Sequence, residues 1–377
     1  MPLFVGLMSG TSLDGIDAAL VRCGEGPVTL VDAVGLPMPD TLRNQLLALC
    51  QAQSVDVARL ASAETAFCQL QAKAVAHLLV KSGNGPEDIV AIGSHGQTIE
   101  HAPYGYDDDS AAAFTWQLDN PSLLAELTGC RVVADFRRRD LAAGGQAAPL
   151  APAFHAALFS DPQEWRLVLN LGGFANITLL PPASVDAPVI GFDTGPANAL
   201  LDAWHLRHRP GNYDADGAWA ASGQVDASLL ARLLEEPFFH RPPPKSTGRE
   251  VFHLDWLASH LTGDEVPEDV QATLAELTAA SVALGVEQAI EHQQANGPVR
   301  LIPCGGGAHN RDLLDRLGRR LPGLSLMHCE DIEWSPDWLE AGAFAWLAWR
   351  RLEALPGNLP SVTGARGPRI LGGVYSA

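Results

Sequence analysis

Reactive and hydrogen-bonding side chains cluster where the apolar runs of this 377-residue chain end. Leu3-Phe4-Val5 and Ile16 to Val21 flank Ser9 to Gly15, a turn of Ser, Gly, Thr and Asp around one Leu. Such a turn exposes backbone N–H groups with no side-chain bulk over them, and Thr11 and Ser12 add hydroxyls within reach of an anion. It reads as a phosphate cradle; on composition alone an ordinary glycine-rich hairpin turn fits equally. Ile89 to Ile92 ends in Gly93-Ser94-His95-Gly96-Gln97-Thr98, and Arg131 to Ala134 ends in Asp135-Phe136-Arg137. Val189 to Phe192 leads into Asp193-Thr194-Gly195-Pro196, and Val299 to Pro303 into CGGGAHN, Cys304 to Asn310. Polar residues at a strand's end stand at the carboxyl edge of a sheet, where open α/β sheets bind ligands. His95 is a site candidate on this ground, against the competing reading of a hydrogen-bonded structural histidine. The chemistry on offer is anion binding by glycine turns, with a carboxylate as proton acceptor.

The elements that must position these residues follow from periodicity. Asp40 to Leu49, Val55 to Leu79, Leu118 to Leu127, Ala197 to Trp204, Arg311 to Leu321 and Asp269 to Gln293 carry helical spacing. Leu167 to Leu171, Gly172-Gly173 and Asn176 to Leu180 form a second hairpin, so each half of the chain opens on one. The strand ending in GSHGQT pairs with the one ending in CGGGAHN, and this order of elements predicts a duplicated β-rich core. Leu141 to Pro152, rich in Ala, Gly and Pro, is the expected crossing point, giving domains 1–145 and 146–377, with 364–377 able to pack back on the first. Asp337 to Leu352 is a helix apolar almost all round, with Glu340 in its first turn.

Length favours two domains, and 47% hydrophobic with 18% charged residues is a globular composition. A net charge of −19 argues against nucleic acid or an anionic membrane as partner. The densest positive place is Arg137-Arg138-Arg139, between Asp135 and Asp140. No apolar run approaches the ~20 residues of a membrane span, and the N-terminus lacks the basic lead of a signal peptide, so a cytoplasmic protein is expected. Six scattered cysteines without a C-x-x-C predict buried thiols. Asp107-Asp108-Asp109 lacks the glycine and distal glutamate of a calcium loop and reads as a solvated acidic loop. P-loop, dinucleotide-fingerprint, G-x-S-x-G and H-E-x-x-H motifs are absent.

MSGTSLDGIDAAL, GSHGQT, DFRRRDLAAGGQAAPL, NLGGFANIT, FDTGPAN, KSTGRE, CGGGAHN and WLEAGAFAWLAWR, in this order from residue 3 to about 372, resemble the anhydro-N-acetylmuramic acid kinase family. That family belongs to the actin, hexokinase and Hsp70 ATPase superfamily. The resemblance implies an α/β, two-domain actin/hexokinase-like (ribonuclease H-like) fold with an interdomain active-site cleft. It further implies an ATP-dependent opening of the 1,6-anhydro ring of anhydro-N-acetylmuramic acid with phosphorylation of O6, in peptidoglycan recycling. Asp193 carries over as the base that deprotonates the attacking water, and Glu340 as a second sugar-facing carboxylate. Gly10, Thr11, Ser12, Leu13, Asp14, Gly15, Ile16 and Asp17 would hold the ATP phosphates with Asn170, Gly172 and Gly173. Gly195 and Asn198 would also face the nucleotide, and Gly305, Gly306, Gly307, His309 and Asn310 the nucleoside. His95, Gln97, Thr98, Asp135, Arg137 and Asp140 would face the sugar, with Arg137 pairing with its lactyl carboxylate. Mg²⁺ would bridge the phosphates, its protein ligands open among Asp14, Asp17 and Asp193. The family also implies a homodimer. Ala147 stands where glycine is expected. A kinase for another sugar or small acid, and a nucleotide-switched binding protein, are the alternatives.

Overall fold

Phe4 to Leu7 are buried at every position, so Leu3–Met8 is a central strand covered on both faces. The computed structural model describes residues 1–52, 54–106 and 112–377, and Asp107-Asp108-Asp109 lies outside the described residues. Along them run the strands β1 (Leu3–Met8), β2 (Gly15–Arg22), β3 (Thr29–Pro37), β4 (Ile89–Ser94), β5 (Gln97–Ala102), β6 (Phe114–Leu118), β7 (Val132–Ala134), β8 (Trp165–Leu171), β9 (Phe174–Leu180), β10 (Ile190–Pro196), β11 (Val299–Cys304), β12 (Ser325–Leu326) and β13 (Gly373–Tyr375). The chain divides into two compact units, Met1–Leu158 with Trp338–Ala377, and Phe159–Asp337.

In the first unit the main sheet has the order β13-β7-β4-β1-β2-β3. β2 pairs antiparallel with β1 on one side and β3 on the other, while β4 joins β1 and β7 joins β4 in parallel. In the second unit the order is β10-β9-β8-β11-β12. Again β8, β9 and β10 are antiparallel, and β11 and β12 follow in parallel. The repeat expected from element order is therefore present strand by strand, and the architecture is the two-domain actin/hexokinase-like α/β fold that the motifs imply.

The unit boundaries differ from 1–145 and 146–377, because residues 146–158 and 338–377 belong with the first unit. The reason lies in the helix Leu339–Leu352, which lies against β1 and β4 through two glycines. A Cβ on Gly6 would enter the helix backbone at Ala341 and Ala345, and one on Gly93 would meet the Phe344 carbonyl. The last residues then add β13 antiparallel to β7, as expected for 364–377.

Local signals account for most ends. The helix Val57–Ser82 starts where Asp56 accepts from Ala58 N at 2.9 Å and stops at Gly83, φ 70°. The helix expected over Leu118 to Leu127 runs Pro121–Thr128, because Asn120 caps it and Pro121 opens it, while Phe114–Leu118 pairs with β5. Five of the six cysteines are buried and Cys50 is exposed. Burial pushes the thiols of Cys23, Cys68 and Cys329 up to about 12, which removes their nucleophilicity.

Candidate functional site

In the first unit the turn between β1 and β2 is built from inside. β1 and β2 pair out to Met8 opposite Asp17, and Leu13, at φ 58°, donates N–H to Gly10 O at 3.2 Å. Ser9 is buried and donates its hydroxyl to Gly15 O at 2.9 Å and Gln97 Oε1 at 2.7 Å. Gln97 returns its amide to Gly10 O at 3.3 Å. Thr11, Ser12 and Asp14 are exposed at the tip, whereas Leu13 and Ile16 are buried as anchors. Gln97, expected on the sugar, is 1% exposed and spends its amide on the turn, because it is the nearest group able to pair with Ser9 and Gly10 together. Thr98, also expected on the sugar, accepts at Oγ1 from Gln117 across the β5–β6 ribbon at 3.3 Å.

β4 runs beside β1, and His95 N donates to Leu7 O at 3.1 Å. The imidazole stacks tilted on Phe344 at 4.7 Å and takes two donors on Nε2, Arg137 Nε at 3.1 Å and Nη2 at 2.9 Å. Burial first, and the guanidinium second, hold His95 well below the usual histidine range. The ring is thus neutral, and an Nε2 that accepts places its hydrogen on Nδ1. Arg137 Nη1 donates to Ala147 O at 2.8 Å, which leaves two of the five guanidinium N–H groups. Burial lowers Arg137 to about 10, opposed by the nearby charges of Glu340 and Asp140. His95, Arg137 and Glu340 are therefore brought together.

Asp140, whose charge also acts on Arg137, has its carboxylate taken up by internal donors. It is fully buried, and its carboxylate accepts from Ala147 N at 2.9 Å, Asn358 Nδ2 at 2.6 Å and Thr363 Oγ1 at 2.8 Å. A carboxylate satisfied by three internal donors is a pin for the 140–147 loop. Ala147, where the resemblance led glycine to be expected, sits at φ 61°, a left-handed conformation that favours glycine. Asp135, at φ 58°, lies 3.6 Å from Arg138 Nη1 and lines an arginine-rich groove with Arg138 and Arg139.

In the second unit Asp193 faces Asn176 beside an irregularity in the β9–β10 pairing. Its Oδ2 accepts from Ser246 Oγ at 2.9 Å and Thr247 N at 3.0 Å, and its own N–H donates to Lys245 O at 3.1 Å. Burial raises the Asp193 carboxyl, against these two donors, and the Glu250 charge raises it further. A carboxyl raised by burial and oriented on one oxygen suits proton abstraction by the other. Lys245 anchors the loop by donating to Phe239 O at 3.0 Å and Phe238 O at 3.4 Å, and burial lowers it to about 8. Ser246 and Thr247 were not singled out from the sequence as site residues; the KSTGRE segment that carries them was the signal.

Around the second hairpin the structure places Asn170, Gly172, Gly173, Asn198 and the Gly305–Gly307 turn. Ala197 N and Asn198 N donate to the carbonyls of Gly173 and Gly172 at 3.0 and 3.1 Å, and Asn198 Nδ2 to Leu171 O at 2.9 Å. The Gly305–Gly307 turn lies on the same strand end, since a Cβ on Gly305 would meet Asn170 Oδ1 and one on Gly307 the Leu171 side chain. Cβ positions on Gly306 and Gly307 would stand 3.9 and 3.4 Å from the Asn198 amide nitrogen. Asn310 caps the helix Arg311–Arg320 through Leu313 N at 3.0 Å, and exposed His309 pairs with Asp337 at 2.8 Å. Gly195, at φ 151°, has Phe239 and Ser281 where a Cβ would stand, so no side chain fits there. Among the described residues no three His, Cys, Asp or Glu side chains group as a metal cage. No helix among them is long and apolar enough to cross a membrane.

The chain matches the anhydro-N-acetylmuramic acid kinase family over residues 2–377. It is 66% identical over 376 residues to the anhydro-N-acetylmuramic acid kinase of Chromohalobacter salexigens, with 100% of both chains covered. The kinases of that name from Pseudomonas syringae pv. tomato and Xylella fastidiosa are 50% and 51% identical, over 99% and 100% of this chain and 99% and 97% of theirs. On this full-length agreement the chain belongs to the anhydro-N-acetylmuramic acid kinase family.

Proposed function

We propose that this chain phosphorylates anhydro-N-acetylmuramic acid with ATP while opening its 1,6-anhydro bridge, a step of cell-wall recycling. The observation that carries the reading is the end-to-end match to the kinase family. Asp193 accepts a proton from water through the carboxylate oxygen that Ser246 and Thr247 leave open. The water oxygen bonds to the anomeric carbon, the bond from that carbon to O6 breaks, and O6 takes the γ-phosphoryl group as ADP departs. Arg137, fixed by His95 and Ala147, offers its remaining N–H groups to the sugar's lactyl carboxylate beside Glu340. The turns Gly10–Gly15 and Gly172-Gly173, one in each unit, each offer backbone N–H groups suited to phosphate.

Magnesium fits the donor set, since a nucleotide-borne ion takes one or two carboxylates and needs no protein cage. The carboxylates that would meet it are among Asp14, Asp17 and Asp193. It supplies charge neutralisation on the phosphates. A homodimer in the cytoplasm completes the reading.

The test is incubation with ATP and the anhydro sugar in ¹⁸O-labelled water. The expected product is N-acetylmuramic acid 6-phosphate bearing label at the anomeric oxygen. Label in phosphate, or no phosphorylated sugar, overturns the reading.

A further inference from the structure

A groove of about 820 Å³ in the first unit is lined by Arg138, Arg139, Arg351 and Arg369, with Asp135 as its acidic lining residue. The chain carries 44 acidic against 25 basic residues, so four guanidiniums facing one carboxylate run against its overall charge. They come from three separate places: the helix Arg138–Ala142, the end of the helix Leu339–Leu352, and the segment leading into β13.

Three of the four also have a backbone carbonyl as partner. Arg138 Nε donates to Thr115 O at 3.4 Å, Arg351 Nε to Gly372 O at 2.7 Å, and Arg369 Nη1 to Pro368 O at 2.8 Å. Each anchor is a neutral carbonyl, so it orients the guanidinium without cancelling its charge. The ion pair of Arg138 with Asp135 is long, 3.6 Å, and both side chains are about half exposed. Planar forks held in advance are suited to phosphate, because less side-chain freedom is lost on binding. None of His95, Arg137, Glu340 or Asp193 lines the groove.

We propose that this groove is a binding site for a small phosphate-bearing anion of two or more charges, separate from the residues assigned to catalysis. The anion would bridge the three segments through bidentate arginine contacts. Bound to the folded chain alone, it raises the melting temperature of the protein with concentration.

The probe is inorganic pyrophosphate, titrated calorimetrically into the full chain with and without saturating ADP, so that nucleotide-site binding is seen separately. The wild type is expected to keep a pyrophosphate site when ADP is present. Arg139→Ala/Arg369→Ala is expected to weaken that site at least tenfold and to lose the pyrophosphate-dependent rise in melting temperature. Arg139→Gln, a conservative change at an exposed position, serves should the double variant not fold, and is expected to weaken the same site several-fold. A wild type that binds no pyrophosphate beside ADP, or variants that bind it as tightly as the wild type, overturns the proposal. Failure of ADP itself to bind counts against the kinase reading and leaves the comparison of wild type and variant intact.

Discussion

Arg137 donates from both Nε and Nη2 to a single atom, Nε2 of His95, and the imidazole is held neutral to receive them. The histidine thus acts as an acceptor that aims a buried cation. His95→Leu leaves two guanidinium N–H groups without a partner, a loss of about 2 kcal/mol in unfolding free energy by the usual penalty. If Arg137 binds the sugar's carboxylate, KM for the sugar should rise roughly tenfold or more, with KM for ATP nearly unchanged. His95→Gln, whose Oε1 can accept, should recover part of the loss. Equal effects on both substrates in steady-state kinetics would refute this assignment.

Asp140→Ala removes the acceptor shared by Ala147 N, Asn358 and Thr363. Three buried donors are then unsatisfied and a cavity is left, so a destabilisation of about 3–5 kcal/mol is expected. Urea unfolding measures it. A change below about 1 kcal/mol would contradict the role of pin.

The two hairpins were legible because apolar strands flank a run of glycine and small polar residues, a local pattern. So were the long helices, each with a cap or a stop nearby. β3 was not, since Thr29–Pro37 has Ala33 as its one buried residue and offers no continuous apolar run. Asp140 was placed on the sugar by the family resemblance, and its structural partners Asn358 and Thr363 were not legible because they lie 218 and 223 positions further along. The same distance hid the return of Leu339–Leu352 to β1, which depends on Gly6 and Gly93 having no side chain. Asp193 was found by its motif, but the donors that orient it sit 53 and 54 residues away. Local periodicity therefore predicted elements, and long-range hydrogen bonds decided which polar residues are structural.

Those donors make a prediction of definite sign. Hydrogen bonds to a carboxylate favour its charged form, so they lower Asp193 against the rise that burial imposes. Ser246→Ala removes one of the two, and the acidic limb of the pH profile of kcat/KM should move to higher pH by about one unit. A base must be unprotonated, so activity is lost first on the acid side and least at high pH. A limb that stays in place would show that Ser246 does not tune the base.

The stability of the fold should carry a histidine signature as well. His155, on the helix Ala151–Phe159, is 4% exposed, and burial holds it at about 4 against 6.5 in the unfolded chain. Between these values the unfolded state binds more protons, so stability is fully present above pH 6.5 and is lost as pH falls through that window. His95 and His101 act in the same direction, and Asp119, raised to about 6 by burial, acts in the opposite one. The contribution of His155 is isolated by comparing the wild type with His155→Gln in urea at several pH values. The wild-type advantage over the variant should shrink by roughly 2 kcal/mol between pH 7 and pH 5. Parallel curves for the two proteins would mean that His155 titrates alike in the folded and unfolded chain.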